Sequence, residues 1–478
     1  MAGIRAASPL QVALVTGLLA AAVRLPLATV IPMVSPDGVA AMQVAANLVQ
    51  NGCISLSDPA IGACIPHWGG NHLPGYPAFI ALLWLVLGSS LVAVTLAQSL
   101  LVALAVGRLA QAMTLFTGRP AIGLATGLLL ALSPVQAAWS RFVLPDALSV
   151  AAALWLFAEL LLSLRDGRLR LLTVALPVLA SCLLRLDGFI IAVAPAIIGF
   201  HLHRPALALQ RGLAIALIVA LPLTVLLARN VARDLSLVPQ TGMLFGDTKP
   251  FGYLAWGNTW ISSIYQGGAM FYSASQRIYS EIVIDPRAYD SEDEQRRVEA
   301  LLDRLDGFDG QPFPAEVDAA FATIAAEKRR ADPLLHYVGL PVQRMAVFWL
   351  HPFASFGWPL EFASNLTASE RTALSSGSLP VRARVIVDHP VLFLGKGSVL
   401  IYRFVLAALV IGLTTAVWRR LTPSEKALLV ALVGFALLRT ALLSYQTSID
   451  NRYMVSAMAA AEVLLPLLLW RRRLSASP

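Results

Sequence analysis

The sequence predicts an all-α polytopic membrane protein with about ten transmembrane helices. Of its 478 residues, 57% are hydrophobic and only 13% are charged, whereas soluble domains carry about 25% charged residues. Apolar runs of membrane length recur along the chain, and short basic clusters separate alternate runs. That distribution is typical of a multi-pass membrane protein, so the net charge of +8 does not indicate a nucleic-acid partner.

Ten apolar runs approach the roughly 20 residues that a helix needs to cross a bilayer. Basic residues lie on alternate connections, and the positive-inside rule assigns all of these connections and both termini to the cytoplasm. The runs cover residues 9–31, 90–116, 120–138, 143–163, 170–184, 188–203, 211–228, 398–418, 426–443 and 453–470. The basic residues are Arg5, Arg119, Arg165, Arg168, Arg170, Arg204, Arg211, Arg419, Arg420, Lys426, Arg471, Arg472 and Arg473.

This topology divides the chain into three regions. Residues 1–228 form a membrane core that includes a first extracytoplasmic loop at 34–88, and residues 396–478 form C-terminal helices with a basic cytoplasmic tail. Residues 229–395 form an extracytoplasmic segment that we expect to be mostly helical. Its helix signals are a capping box that begins at Ser291 and an N-cap with proline at Asp332 and Pro333.

The first extracytoplasmic loop carries an acid, Asp37, a few residues beyond the first apolar run. An amphipathic helix should follow it, ending near Gly52 and lying at the membrane interface. The segment GYPAFIALLWLVLG then begins a second apolar piece. Asp37 suits two roles that do not exclude each other: the N-cap of a helix beginning at Gly38, or a base at the membrane boundary.

Charged residues also occupy three other turns that face the same compartment. These turns carry Arg141 with Asp146, Arg185 with Asp187, and Asp450 with Arg452 and Tyr453. Surface ion pairs or snorkelling explain any one of these arginines. They explain less well why three arginines and four carboxylates, counting Asp37, converge at one boundary.

Other polar residues predict less. A disulfide between Cys53 and Cys64 is consistent with an extracytoplasmic loop, and Cys182 in an apolar run suits packing. His67 and His72 match no standard zinc spacing, so we expect no cofactor; a divalent metal stays open as the alternative but is not indicated. Glu159 and Glu462 fall inside predicted spans, where Arg439 could partner Glu462 or the carboxyl could be neutral and face other helices.

The ordered motifs resemble the GT-C superfamily of membrane glycosyltransferases. The similarity is to the branch, like glycosyltransferase family 39, that contains protein O-mannosyltransferases and the lipid A aminoarabinose transferase. The matching pieces are SPDG at Asp37, HLPGYPAFIALLWLVLG, SRFVLPDALS, LLRLDGF, LLARNVARD and IDNRY. One departure is that Gly38 follows Asp37 where relatives often carry a second acid.

The resemblance implies an inverting transfer of a sugar from a polyprenyl-phosphate-linked donor to a hydroxyl of a lipid, glycan or protein acceptor. The reaction would occur on the extracytoplasmic face of a membrane, expected to be the bacterial inner membrane. Asp37 would accept the acceptor's proton, while cations would stabilise the leaving phosphate. The residues expected to bind the donor's phosphate or sugar are Arg24, Arg141, Asp146, Arg185, Asp187, Arg229, Lys249, Arg452 and Tyr453.

Two other classes of function fit parts of the sequence. A transporter or flippase of lipid-linked sugars would place its charges near the bilayer midplane and often contains inverted repeats, which this sequence lacks. An inactive scaffold is the other class. Within the enzymes, a ligase that moves a whole lipid-linked oligosaccharide is the nearest competitor.

Overall fold

The computed structural model describes residues 7–30, 32–61, 73–232, 249–350, 366–367, 369–370, 373–374, 378–446 and 450–474. The described residues form helices and connecting turns without a β-strand, and a single parallel bridge joins Met33 to Phe142. The predicted all-α class is therefore confirmed for the described part of the chain.

The first helices build the membrane core. They are α1 (Pro9–Val30), α2 (Pro36–Asn51), α3 (Gly75–Leu87), α4 (Leu91–Thr117), α5 (Pro120–Leu132), α6 (Pro134–Trp139), α7 (Asp146–Asp166), α8 (Leu171–Leu184), α9 (Val193–Leu202) and α10 (Pro205–Val231). The remaining helices are α11 (Phe251–Gly257), α12 (Ile264–Ser275), α13 (Glu292–Asp306), α14 (Ala315–Ala331), α15 (Leu340–Leu350), α16 (Leu379–Asp388), α17 (Pro390–Val417), α18 (Pro423–Leu443) and α19 (Val455–Leu474).

Among the described residues, seven helices are long and apolar enough to cross a membrane. These spans are Pro9–Val30, Leu91–Thr117, Asp146–Asp166, Pro205–Arg229, Pro390–Arg420, Pro423–Leu443 and Arg452–Arg473. The predicted runs 120–138, 170–184 and 188–203 coincide with shorter apolar helices. Run 120–138 is interrupted at Ser133 because Pro134 starts a new helix, α6, whose N-cap is Ser133. A count of ten spans stays a prediction.

Basic and polar side chains at the predicted cytoplasmic helix ends contact one another. The Arg119 guanidinium lies 5.3 Å from the Trp470 ring centroid, and Arg471 pairs with Glu425 at 2.7 Å. These contacts join the α4–α5 connection to the end of α19 and the start of α18. The turns with Asp146 and Arg452 lie at the opposite ends of α7 and α19.

The segment at 249–350 folds around its own core, which includes Trp256, Val298 and Phe321. Ser291 caps α13 by accepting a hydrogen bond from the Glu294 amide at 3.1 Å, as predicted. Glu294 is buried and pairs with Lys328 at 2.8 Å, so its carboxylate stays compensated inside this core. The helical prediction for this segment is confirmed for its described residues.

The two acids predicted to lie inside spans have partners from neighbouring helices. Glu159 pairs with Arg108 at 2.7 Å and with Arg170 at 2.8 Å. Glu462 accepts hydrogen bonds from Tyr402 at 2.6 Å and Gln136 at 3.1 Å. The suggested pair of Arg439 with Glu462 is wrong because Arg439 turns toward Asp187, at 2.6 Å.

Gly188 allows the turn after α8 to pack closely. A Cβ atom at this position would lie 1.9 Å from the Ser181 carbonyl oxygen, so a side chain there must displace backbone. We expect Gly188→Ala to lower the free energy of unfolding by about 1–3 kcal/mol, the usual effect of overpacking, as measured by thermal unfolding in detergent. Gly212→Ala is the matched control, since a Cβ atom there meets nothing within 4 Å and should leave stability unchanged or raised. Equal stability of both variants would contradict the prediction.

Candidate active site

The helix that contains Asp37, α2, is capped by a different residue. Ser35 is the N-cap of α2, with its hydroxyl accepting from the Gly38 amide at 3.2 Å, and Asp37 lies in the first helical turn. The N-cap role considered for Asp37 is therefore wrong. The predicted helix itself is present and ends at Gly52, whose φ of 64° suits glycine. Its buried face includes Ala41, Val44 and Ala45.

The turn at residues 140–143 is hydrogen-bonded to the backbone just before α2. The Met33 amide donates to the Arg141 carbonyl at 3.0 Å, and the Val143 amide donates to the Met33 carbonyl at 2.9 Å. A Cβ atom on Gly38 would lie 2.5 Å from the Val143 carbonyl oxygen. This close approach gives a physical reason for glycine directly after Asp37, where a second acid would collide with the backbone.

A buried hydrogen-bond chain holds the same turn in place. Gln98 on α4 donates to the carbonyls of Ser140 at 2.8 Å and Phe142 at 2.5 Å. Its side-chain oxygen accepts from the Tyr76 hydroxyl at 3.1 Å. Tyr76 belongs to the GYP segment, so this chain connects that segment to the SRFVLPD turn.

The Asp37 carboxylate forms an ion pair with an arginine from the far end of the sequence. Asp37 Oδ2 lies 2.6 Å from Arg452 Nη2, and Arg452 Nε lies 3.1 Å from Asp450 Oδ2. The Asp37 side chain is 41% exposed, while those of Arg452 and Asp450 are mostly buried. Burial raises the pKa of Asp450, and the Arg452 guanidinium opposes that rise. Asp37 is thus the solvent-facing end of this triad.

A second group of charges lies deeper. Arg185 pairs with Asp146 through Nη1 and with Asp187 through Nε, each at 2.9 Å. Asp187 Oδ2 also pairs with Arg439 at 2.6 Å. Among the described residues, Asp146 Oδ2 is buried and has no hydrogen-bond partner. One oxygen of Asp146 therefore stays available to a ligand.

Tyr453 connects the two groups of charges. The guanidinium of Arg185 lies 4.7 Å from its ring centroid and that of Arg452 lies 5.2 Å from it, so two cations contact one ring. The Tyr453 carbonyl accepts from Arg439 Nε at 2.7 Å. We call this set the Asp/Arg cluster; its members are Asp37, Asp146, Arg185, Asp187, Arg439, Asp450, Arg452 and Tyr453.

The cluster lies at one end of the helical bundle. Asp146 and Arg452 are the first residues of two candidate spans, and Arg439 is close to the end of a third. Beneath Arg185 and Arg439, a small cavity is lined by the hydroxyl-bearing side chains of Ser149, Ser181 and Ser456. The structure thus brings three of the predicted acidic and basic turns together at one end of the bundle and adds Arg439, whereas Arg141 is not among the cluster members.

Four predicted donor ligands are not among the members of the Asp/Arg cluster. Arg24 is buried and donates to the carbonyls of Leu130 and Ala131 at 3.0 Å, at the end of α5. The Arg141 guanidinium lies 5.3 Å from the Phe142 ring, and Arg229 Nη2 lies 3.5 Å from the Ile54 carbonyl. Lys249 precedes α11, and burial lowers the pKa of its ammonium group. Their roles as donor ligands stay predictions.

The cysteine and metal predictions fall partly outside the described residues. Cys53 is disulfide-bonded, and Cys182 is free and buried. Cys64, His67 and His72 lie outside the described residues. Within the described ranges, no group of three His, Cys, Asp or Glu side chains is arranged to hold a metal ion.

Two residues that organise the site were not assigned to it from the sequence. Gln98 and Arg439 both lie inside apolar helices, where each is buried and bonded to a turn distant in sequence. The available signal was the cost of a polar side chain within a span, which makes each such residue a candidate for function.

Comparison with known proteins provides no further identification. No protein-family model matches the chain, and no curated protein matches its sequence. The function must therefore be argued from the chemistry of the Asp/Arg cluster and from the motifs.

Proposed function

We propose that this protein is an inverting glycosyltransferase of GT-C type. It moves a sugar from a polyprenyl-phosphate-linked donor to a hydroxyl of a lipid, glycan or protein acceptor. The reaction takes place on the extracytoplasmic face of a membrane, which we propose is the bacterial inner membrane. The observation that carries the proposal is the half-exposed Asp37 carboxylate, held by Arg452 in a cluster that also contains Arg185 and Arg439.

The arrangement of charges suits a lipid-linked phosphate. A polyprenyl chain keeps its phosphate at the membrane boundary, and guanidinium groups there bind phosphate oxygens bidentately. Arg452 pairs with the partly exposed Asp37, so a phosphate that displaces this carboxylate would meet its guanidinium. Arg185 contacts the same Tyr453 ring as Arg452 and adds positive charge nearby. Asp146 Oδ2, buried and without a hydrogen-bond partner in the described chain, suits a sugar hydroxyl.

The proposed transfer step assigns a role to each of these groups. The acceptor oxygen forms a bond to the anomeric carbon while the bond from that carbon to the phosphate oxygen breaks. The acceptor's proton passes to the Asp37 carboxylate, and the phosphate leaves with the bonding electron pair. The nearby guanidinium groups stabilise the charge that develops on the phosphate, so no acid is required to protonate the leaving group. Attack opposite the leaving phosphate inverts the anomeric centre.

The ion pair between Asp37 and Arg452 suggests how the donor prepares the base. An arginine at 2.6 Å stabilises the carboxylate anion and weakens it as a proton acceptor. A donor phosphate competes for the same guanidinium. Donor binding would therefore release Asp37 for the acceptor, which favours donor binding before acceptor binding.

The proposal is tested by comparing cells with and without the gene. We expect mass spectrometry of extracytoplasmic glycans, glycolipids and glycoproteins to reveal one missing sugar, and purified protein to restore it from a polyprenyl-phosphate donor. Purified protein that carries the lipid-linked sugar across vesicle membranes, without forming a transfer product, would instead support the transporter.

Arg452→Ala should weaken use of the donor. Losing a charge-assisted hydrogen bond costs about 1.5–3 kcal/mol, so we expect kcat/KM for the donor to fall roughly 10- to 100-fold. Arg452→Lys should retain part of this activity because it keeps the charge but loses the bidentate geometry. Donor kinetics that are the same in all three proteins would assign Arg452 a purely structural role.

A further inference from the structure

The helix that leads out of the 249–350 segment has an inverted distribution of polarity. It runs through a π-helical turn, Leu335–Gly339, into α15, and the Asp332 side chain caps it by accepting from the Leu335 amide at 2.9 Å. The side chains that face the protein include His336 and Arg344, which is 1% exposed. Most of the outward side chains are apolar: Leu334 is 73% exposed and Val342 is 54% exposed. A helix at a water-exposed surface has the opposite arrangement.

Each of the three guanidinium nitrogens of the buried Arg344 donates a hydrogen bond to a backbone carbonyl. Arg344 donates from Nε to the Ile261 carbonyl at 2.9 Å, and from Nη1 to the Ser444 carbonyl at 3.1 Å. Its Nη2 donates to the Asn258 carbonyl at 2.7 Å. Since three carbonyls accept one hydrogen bond from each guanidinium nitrogen, the protein partly compensates this buried charge, which can then lie beside an apolar phase.

The C-terminal half of the helix packs alongside a candidate span. Trp349 Nε1 donates to Thr440 Oγ1 on α18 at 3.1 Å, and Phe348 is fully buried in the core of the membrane helices. Leu437, about one turn from Thr440 on α18, is 65% exposed, as expected for a lipid-facing residue. The C-terminal half of α15 thus lies beside the exposed surface of a candidate span.

We propose that residues 334–350 insert into the outer leaflet of the membrane, with their outward apolar face against lipid acyl chains. The occupant of this face is lipid because the face lies next to a span. Between Val338 and Leu350, Gln343 is the one polar side chain that is exposed, and the other polar side chains are buried or partly exposed. The helix also packs against the turn Asn451–Met454. It therefore anchors the extracytoplasmic segment in the bilayer, next to the Asp/Arg cluster.

The proposal is tested with spin labels on single cysteines in the full chain, in a Cys182→Ala background. The protein is reconstituted in vesicles of phosphatidylcholine and phosphatidylglycerol. The labelled variants are Val338→Cys and Val342→Cys. Leu217→Cys in α10 serves as the lipid-facing control, and Glu316→Cys in α14, whose side chain is 89% exposed, serves as the water-facing control.

Collisions with oxygen and with a water-soluble nickel chelate distinguish the environments. We expect the labels at 338 and 342 to match the label at 217, with frequent oxygen collisions and loss of nickel collisions. Nickel collisions as frequent as at 316 would overturn the proposal because the face would then lie in water. Low collision rates with both reagents would also overturn it, since another protein surface would then cover the face. Neither result depends on the transfer reaction.

Discussion

Asp37→Asn should abolish sugar transfer while leaving the protein folded and inserted. The amide has nearly the shape of the carboxylate but cannot accept the acceptor's proton, and a positioned base contributes about 10²- to 10⁴-fold to a rate. The side chain is 41% exposed and does not cap α2, so its replacement weakens the ion pair with Arg452 but leaves the helix cap intact. We therefore expect kcat to fall by about that factor, measured with purified protein, a lipid-linked donor and its acceptor.

Asp58→Asn is the matched control because Asp58 lies in the same loop and accepts from the nearby Ala60 amide, while no hydrogen bond or ion pair within the described residues joins it to the Asp/Arg cluster. That variant should keep wild-type turnover. Wild-type turnover by Asp37→Asn would sink the assignment of the base, whereas loss of donor binding with unchanged kcat would reassign Asp37 to holding Arg452.

Arg185→Met should be the most destabilising single substitution in the Asp/Arg cluster. Arg185 pairs with both Asp146 and Asp187, and all three side chains are largely buried. Removing the cation leaves buried carboxylates with less compensation, which typically costs about 3–5 kcal/mol. We expect a clear fall in the thermal unfolding temperature of the detergent-solubilised protein.

Asp146→Asn in the same chain provides the test of cause. If the loss arises from uncompensated charge, the double variant Arg185→Met with Asp146→Asn should recover part of the stability, since the two sites are in direct contact. Additive losses in the double variant would contradict the charge explanation and point to lost packing against Tyr453 instead.

Helix positions in this protein follow from local sequence. The apolar runs predict the seven candidate spans because burial in lipid requires only length and hydrophobicity within one segment. Local signals also predict the Ser291 cap and the end of α2 at Gly52. Local sequence likewise predicts that the segment at 249–350 is helical.

The partners of individual charges depend on the tertiary structure. Asp37 and Arg452 are 415 residues apart, and no local pattern predicts that they meet. Arg439 pairs with Asp187, not with Glu462, because that pairing depends on how α18 faces the turn after α8. Likewise, Ser35 caps α2 and frees Asp37, a choice between two adequate capping residues that only the backbone path decides.

The amino-acid sequence by itself therefore predicts an all-α membrane protein and the end of the bundle at which the charged turns lie. Hydrophobic length and the distribution of basic residues are properties of one segment at a time, so they can be read without knowing which helices pack together. Which oxygen meets which guanidinium, and why glycine must follow Asp37 beside the Val143 carbonyl, are set by long-range packing. That packing turns scattered acids and arginines into one candidate active site.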